Sequence, residues 1–219
     1  YKGISSNTEN YYAYQVGNVL IINLSTEHTG NVQFTWLQQI FAAATTDPTV
    51  HWIISHGHRP YQAEQFVGDI SPWIRNSVVP YLSSSSKYLM HIGGHHHLYA
   101  RGQLKDAPVY NVVSGGASYN QFWETSTEQD MDDVQKTIPN WSYNIIDIDV
   151  PNGKVDVEAR ADGEYRAGVF YRFELLAVDH GAGADNRAFH FFFDQLNGFD
   201  AVLGTQGDLE GGDTAFYQG

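Results

Sequence analysis

Apolar residues arrive in short, evenly spaced runs through the first half of the chain. Residues 18–25 (Asn-Val-Leu-Ile-Ile-Asn-Leu-Ser) form a run without alternation, the pattern of a strand buried on both faces. Phe34, Leu37, Ile40, Phe41 and Ala44 then recur at helical spacing over 31–44, and Asp47-Pro48 closes that helix. Residues 50–55 (Val-His-Trp-Ile-Ile-Ser) predict a second buried strand. Ser71-Pro72 supplies an N-cap and a first-turn proline for a helix that runs to the serine cluster at 83–86. Residues 88–92 and 109–113 predict two more strands. Strand, helix, strand, helix, strand is the order of a layered α/β domain, in which loops at the carboxyl ends of strands carry the chemistry.

From about residue 141 the texture changes. Ile146, Ile148 and Val150 alternate with Asp147 and Asp149, and Val155, Val157 and Ala159 alternate with Asp156, Glu158 and Arg160. With Pro151-Asn152-Gly153 between them, these segments predict a β-hairpin with one wet face. Residues 168–177 and 188–193 predict further strands, and Gly181 to Asp185 a linker. Residues 197–219, rich in Gly and Asp and poor in periodicity, predict a loop or the start of a truncated module. Asp200, Asp208, Glu210 and Asp213 are hard oxygen donors, but their spacing is that of solvated turn residues rather than of a calcium loop. The expected organisation is a domain over 1–178 and an extension over 179–219.

Composition narrows the partners. The net charge of -13 repels nucleic acid and anionic membranes, so an anionic substrate needs a local source of positive charge such as a metal ion. The absence of cysteine excludes disulfides, thiolate zinc sites and iron–sulfur clusters. No apolar run is long enough to span a membrane. The opening Tyr1-Lys2-Gly3 is not a basic, apolar leader, and a mature chain or an internal fragment would both begin this way.

Seven of the ten histidines fall between residues 51 and 97. His28, His51, His91, His180 and His190 read as hydrogen-bonded structural residues. Three in succession, His95-His96-His97, are different: packing three polar rings together is costly, so the run belongs to an exposed or liganded loop. Imidazole suits first-row transition metals.

The neighbours of these histidines carry a resemblance. Gly94-His95-His96-His97-Leu98-Tyr99-Ala100-Arg101 resembles the Gly-His-x-His-x-Tyr-x-Arg signature of purple acid phosphatase-like proteins, a branch of the calcineurin-like metallophosphoesterases. Trp52 to Pro60 resembles that family's hydrophobic strand ending in Gly-His-Arg-Pro. Tyr11-Tyr12 with Gly17-Asn18-Val19, Gln33-Phe34-Thr35-Trp36-Leu37 and the Ser-Gly-Gly after Val109–Val113 are similar to family segments in the same order. The resemblance covers roughly residues 10–160. It implies an α/β/β/α sandwich, incomplete on its N-terminal side, with a β-rich C-terminal part. It also implies His58 and His95 as ligands to one metal and His97 to another, with iron, zinc or manganese as the ions. By the same comparison His96 is not a ligand, and His58 rather than His56 fills the Gly-His-Arg-Pro position. Arg59, Tyr99 and Arg101 are implied to support the loop or contact the substrate.

The family's Asp, Gly-Asp and Gly-Asn-His motifs are absent. Gly68-Asp69 falls between the two histidine motifs, and Gly17-Asn18 lacks the following His. The bridging carboxylate that holds two ions about 3.5–4 Å apart is therefore not supplied at the family's position. Three alternatives stand: a chain whose N-terminal half lies elsewhere, a reused fold with a dead site, or a mononuclear three-histidine zinc site. The implied reaction is metal-assisted hydrolysis of a phosphate monoester, its usual general acid belonging to the missing Gly-Asn-His motif. The alternative is an inactive chain serving as an extracellular structural or binding module. Of two sequons, Asn23-Leu24-Ser25 lies in a buried strand and Asn140-Trp141-Ser142 does not. An extracellular or periplasmic location is expected.

Overall fold

No residue of Val19–Leu24 is exposed, and the same is true of Trp52–Gly57 and Tyr88–Gly93. Strands covered on both faces need continuous apolar runs, which is why these segments carry no alternation. In the computed structural model, residues 1–104, 107–117, 129–139, 141–149, 154–161, 168–176, 189–194 and 200–205 are described, the last four strands by backbone alone. The chain divides into two compact units, Tyr1–Trp141 and Ser142–Gly219, close to the change in texture at 141.

The first unit is built on β1 (Tyr12–Val16), β2 (Val19–Leu24), β3 (Trp52–Gly57), β4 (Tyr88–Gly93), β5 (Tyr99–Gln103), β6 (Tyr110–Ser114) and β7 (Lys136–Ile138). They form one mixed sheet in the order β1-β2-β3-β4-β6-β5-β7. Strands β2, β3, β4 and β6 run parallel, so their carboxyl ends line one edge. β1, β5 and β7 are paired antiparallel. β1 and β2 join through Gly17 and Asn18, with Gly17 at φ 57°, the left-handed backbone of a tight hairpin turn.

Helix α1 (Asn31–Thr46) buries Gln33, Trp36, Leu37, Ile40, Phe41 and Ala44. It ends where Pro48 forces the preceding Asp47 into extended backbone. The second helical stretch, 72–82, starts at the predicted Ser71, whose Oγ accepts from the Ile74 N–H at 3.3 Å. It is not uniform: a π-helical turn, Ile74–Val78, precedes α2 (Val79–Leu82). Pro80 has no N–H to continue the α-helical ladder, and the wider turn relieves its ring against the preceding carbonyls. The two helices share a core with Leu20, Ile22, Leu24, Ile53 and Tyr88. Each fully buried aliphatic side chain there contributes roughly 1.5–3 kcal/mol.

The second unit is an antiparallel sheet of β8 (Ser142–Asp149), β9 (Lys154–Ala161), β10 (Gly168–Leu176), β11 (Phe189–Asp194) and β12 (Asp200–Thr205), ordered β10-β9-β8-β11-β12. The predicted hairpin is β8–β9, in register from Ser142↔Ala161 to Asp149↔Lys154. Within the 197–219 segment, expected as a loop or the start of a truncated module, β12 replaces a loop at 200–205: it pairs with β11 from Asp194↔Asp200 to Phe189↔Thr205. The Gly and Asp residues flanking Ala201-Val202-Leu203 mask so short a strand in the sequence. The linker at 181–185, the turn at 151–153, the sequon residue Asn140 and the acidic residues 208, 210 and 213 lie outside the described residues. Among the described residues no helix is long and apolar enough to cross a membrane.

Candidate metal-type site at the carboxyl edge of the sheet

β3 and β4 are parallel neighbours, so the loops that follow them leave the same edge side by side. The first begins Gly57-His58-Arg59-Pro60 and the second Gly94-His95-His96-His97. Their backbones lock together: the Gly94 N–H donates to the His58 carbonyl at 2.9 Å. Gly93 lies flat on Pro60, and a Cβ there would fall 2.4 Å from Pro60 Cα. Gly115, just after β6, packs as closely on the other side, where a Cβ would sit 1.9 Å from the His96 carbonyl oxygen. Gly93 and Gly115 therefore make room for the histidine loop.

The loop is tight. The His96 N–H donates to Gly94 O at 2.6 Å and the Leu98 N–H to His96 O at 2.7 Å, two short turns in succession. His95 takes left-handed backbone, φ 64°, which costs a non-glycine residue about 1 kcal/mol or more. That conformation turns its ring towards His58. His58 Nε2 and His95 Nδ1 are 3.0 Å apart, the rings meeting edge to face at 4.9 Å between centroids. Residues 37 positions apart in sequence thus become a pair of adjacent imidazole nitrogens.

Both rings are held below the ordinary histidine range. Burial is the main cause for each; Arg59 and His97 lower both further, and His58 lowers His95. At neutral pH the pair is neutral, the form that offers lone pairs to a cation. His97 is half-buried and near enough to act on both rings. His96 is fully buried, its ring 6.2 Å from Phe66. Tyr99 and Arg101 lie in β5 at 0% and 8% exposure, so neither is presented to solvent.

Arg59 is half-buried, and the fold gives it carboxylate partners that the motif comparison does not contain. Its Nε lies 3.1 Å from Glu27, and its Nη1 lies 3.5 Å from the Asp69 carboxylate and 3.2 Å from the Asp69 carbonyl. The Arg59 N–H reaches Thr26 Oγ1 at 3.4 Å. Glu27 comes from the loop after β2, anchored because buried Gln33 of α1 accepts from the Ser25 N–H and donates to the Ser25 and His28 carbonyls. Asp69 also stands 3.8 Å from His95 Nε2. Only the acidic side chains' proximity to a histidine motif would have flagged them in the sequence, and for Asp69 that proximity is not sequential.

His56 and His91 are not part of this edge site. Both are buried within strands, and burial pushes them down to about 4 and about 3. His91 Nδ1 meets Ser55 Oγ at 2.9 Å, and Ser55 Oγ meets the Tyr88 hydroxyl at 2.6 Å, a buried network tying β3 to β4.

The His58–His95 pair by itself offers two nitrogen donors. Two nitrogens on one ion, at metal–nitrogen distances of about 2.0–2.1 Å, lie about 2.9–3.4 Å apart for octahedral to tetrahedral angles. The observed 3.0 Å falls in that interval. Among the described residues no group of three His, Asp or Glu converges as a metal site, for one ion or for two.

No family model and no curated protein matches the sequence. Solved structures do. The chain superposes on GAP50, the anchor in the inner membrane complex of Plasmodium, with TM-score 0.60 and 12% identity, over 77% of this chain and 54% of that one. It superposes on the purple acid phosphatase PPD1 from yellow lupin (Lupinus luteus) seeds with TM-score 0.63 and 16% identity, over 76% of this chain and 33% of that one. A dimetal phosphatase from Danio rerio matches with TM-score 0.45 and 13% identity, over 77% of this chain and 60% of that one. The chain therefore spans about half of the first protein's length and a third of the second's. At these identities the likeness is one of fold, which is of the metallophosphoesterase type.

Proposed function

We propose that this chain supplies the histidine side of a metal-assisted phosphoesterase site, acting on phosphate monoesters in the intact parent protein. The observation that carries the reading is the 3.0 Å convergence of His58 Nε2 and His95 Nδ1 at the carboxyl edge of a metallophosphoesterase-type sheet. His58 and His95 hold one divalent ion; iron, zinc and manganese all suit imidazole donors. When bound, the ion supplies positive charge to a phosphoryl oxygen and makes nearby water a stronger acid. His97 serves a second ion, whose carboxylate ligands this chain does not provide among its described residues and the rest of the parent protein would.

The chain's own residues prepare the site in three ways. Burial keeps both rings neutral, so no imidazolium charge repels a cation, and only the proton in the His58 Nε2–His95 Nδ1 contact has to move to the far side of its ring. Arg59 stands beside the pair with its guanidinium held by Glu27 and Asp69, and suits a phosphate oxygen once one of those carboxylates yields. Tyr99 and Arg101, buried in β5, support the loop from beneath. In a chain of net charge -13 the positive charge that attracts an anion then comes from the bound cation. The family resemblance, taken with the acidic, cysteine-free composition, favours an extracellular or periplasmic setting.

The test is elemental analysis of the purified parent protein together with hydrolysis of p-nitrophenyl phosphate. His58→Ala and His95→Ala are each expected to release metal and to lower turnover at least a hundredfold, while His51→Ala changes neither. Full metal content and full turnover in both site variants would overturn the ligand assignment. A parent protein with neither metal nor turnover would instead indicate a structural or binding module on this fold.

A further inference from the structure

Asp69 stands at the centre of a charged chain that no sequence motif contains. It ends the short turn Val67–Asp69, which follows Phe66 in left-handed backbone at φ 50°. One carboxylate oxygen faces the Arg59 guanidinium at 3.5 Å, and the other faces His95 Nε2 at 3.8 Å. The opposite nitrogen of the same ring, Nδ1, is the one beside His58 Nε2. Glu27, Arg59, Asp69, His95 and His58 thus join the three loops after β2, β3 and β4 into one sequence of contacts.

Stability does not account for this arrangement. Asp69 is 49% exposed, and ion pairs so open to water contribute roughly 0–1 kcal/mol. Orientation does account for it. A neutral imidazole has two tautomers, and the group facing one nitrogen decides which nitrogen keeps the proton. A carboxylate facing Nε2 favours the proton there and leaves Nδ1 with its lone pair towards His58. The 3.8 Å separation is longer than the roughly 2.7–3.2 Å of a direct hydrogen bond. The carboxylate's charge acts on Nε2 across that distance, and Arg59 restrains Asp69 to that side of the ring.

We propose that Asp69 is a positioning residue for the His58–His95 pair: anchored by Arg59, its carboxylate sets the tautomer and tilt of His95 so that the unprotonated Nδ1, with its lone pair, is turned towards His58. The role in metal binding rests on the phosphoesterase reading above; the tautomer assignment does not. Carboxylates that orient a ligand histidine in this way typically change metal affinity about 10–100-fold when removed.

Two-bond ¹H–¹⁵N correlation on ¹⁵N-histidine-labelled protein, at a pH where both rings are neutral, reads the tautomer directly. The wild-type chain is expected to show His95 mainly protonated at Nε2. Asp69→Ala shifts that population towards Nδ1–H, and Asp69→Asn, which keeps the shape and loses the charge, shifts it in the same direction. A Zn²⁺ titration of the same samples should weaken about tenfold in Asp69→Ala. An unchanged His95 tautomer in both folded variants overturns the proposal. Absence of Zn²⁺ binding in the wild type would overturn the metal reading alone, because a tautomer shift in the variants would still establish the positioning role.

Discussion

Gly93 and Pro60 are in backbone contact across the two histidine loops, close enough that a Cβ on residue 93 would fall 2.4 Å from Pro60 Cα and 2.8 Å from Pro60 Cβ. Neither neighbour is a flexible side chain, so the loops themselves would have to separate. Gly93→Ala should lower stability by about 1–3 kcal/mol, as overpacking does, and move His58 away from His95. Gly68→Ala, with open space at the same distance, should change stability by less than about 0.5 kcal/mol. Urea unfolding midpoints of the two variants check the contrast.

Gly115 bears the same relation to the carbonyl of His96, at 1.9 Å from an added Cβ, and its N–H donates to Leu98 O at 3.1 Å. Gly115→Ala is expected to displace the 95–97 loop. Histidine ring resonances of His58 and His95 should both shift, while those of exposed His28 stay in place.

The Tyr88–Ser55–His91 network depends on a single hydroxyl that serves both partners. Ser55→Ala leaves a buried phenol and a buried imidazole short of a partner, which should cost about 1–3 kcal/mol. Tyr88→Phe removes donor and desolvation cost together and should cost less. Equilibrium unfolding of the two variants gives the order.

His56 and His91 make stability pH-dependent. Their folded values, about 4 and about 3, lie below the roughly 6.5 of an unfolded histidine. The unfolded chain therefore binds more protons over that interval, and stability falls as the pH falls. It is complete above about pH 6.5 and lost progressively towards pH 4, by on the order of a few kcal/mol per imidazole. Measured from pH 7.5 to pH 5, unfolding free energy should drop less in His56→Gln than in the wild-type chain. An equal drop would rule out His56 as a contributor.

Gln33 is 1% exposed and joins three backbone groups of the loop that carries Thr26 and Glu27. Gln33→Leu keeps the helix but leaves those groups without their partners. A loss of about 2–3 kcal/mol is expected, together with release of Glu27 from Arg59. Hydrogen exchange at the Ser25 amide should accelerate.

Much of the first unit is legible in the sequence. Continuous apolar runs give β2, β3 and β4 because a strand covered on both faces has no polar face to alternate with. The 3.6-residue spacing of Phe34, Leu37, Ile40, Phe41 and Ala44 gives α1, because one stripe of that helix must meet the sheet. Ser71 starts the second helix as its hydroxyl requires. The segments missed are those whose pattern is short or borrowed: three-residue β7, β5 inside what the motif presents as a loop, and β12 among glycines. The π-turn before Pro80 was also hidden, since proline announces a defect in a helix without saying how it is relieved.

The candidate site divides in the same way. His58 and His95 stand out in sequence through their neighbours, Gly-His-Arg-Pro and Gly-His-x-His, because the glycines are needed wherever two loops meet backbone to backbone. Their 3.0 Å separation is a product of parallel pairing between β3 and β4, which no local pattern encodes. Asp69 and Glu27 belong wholly to the tertiary structure. The sequence determined which histidines stand in Gly-rich loops after buried strands; the sheet order decided which of them meet, because carboxyl ends of parallel neighbours are brought together only when the strands pair.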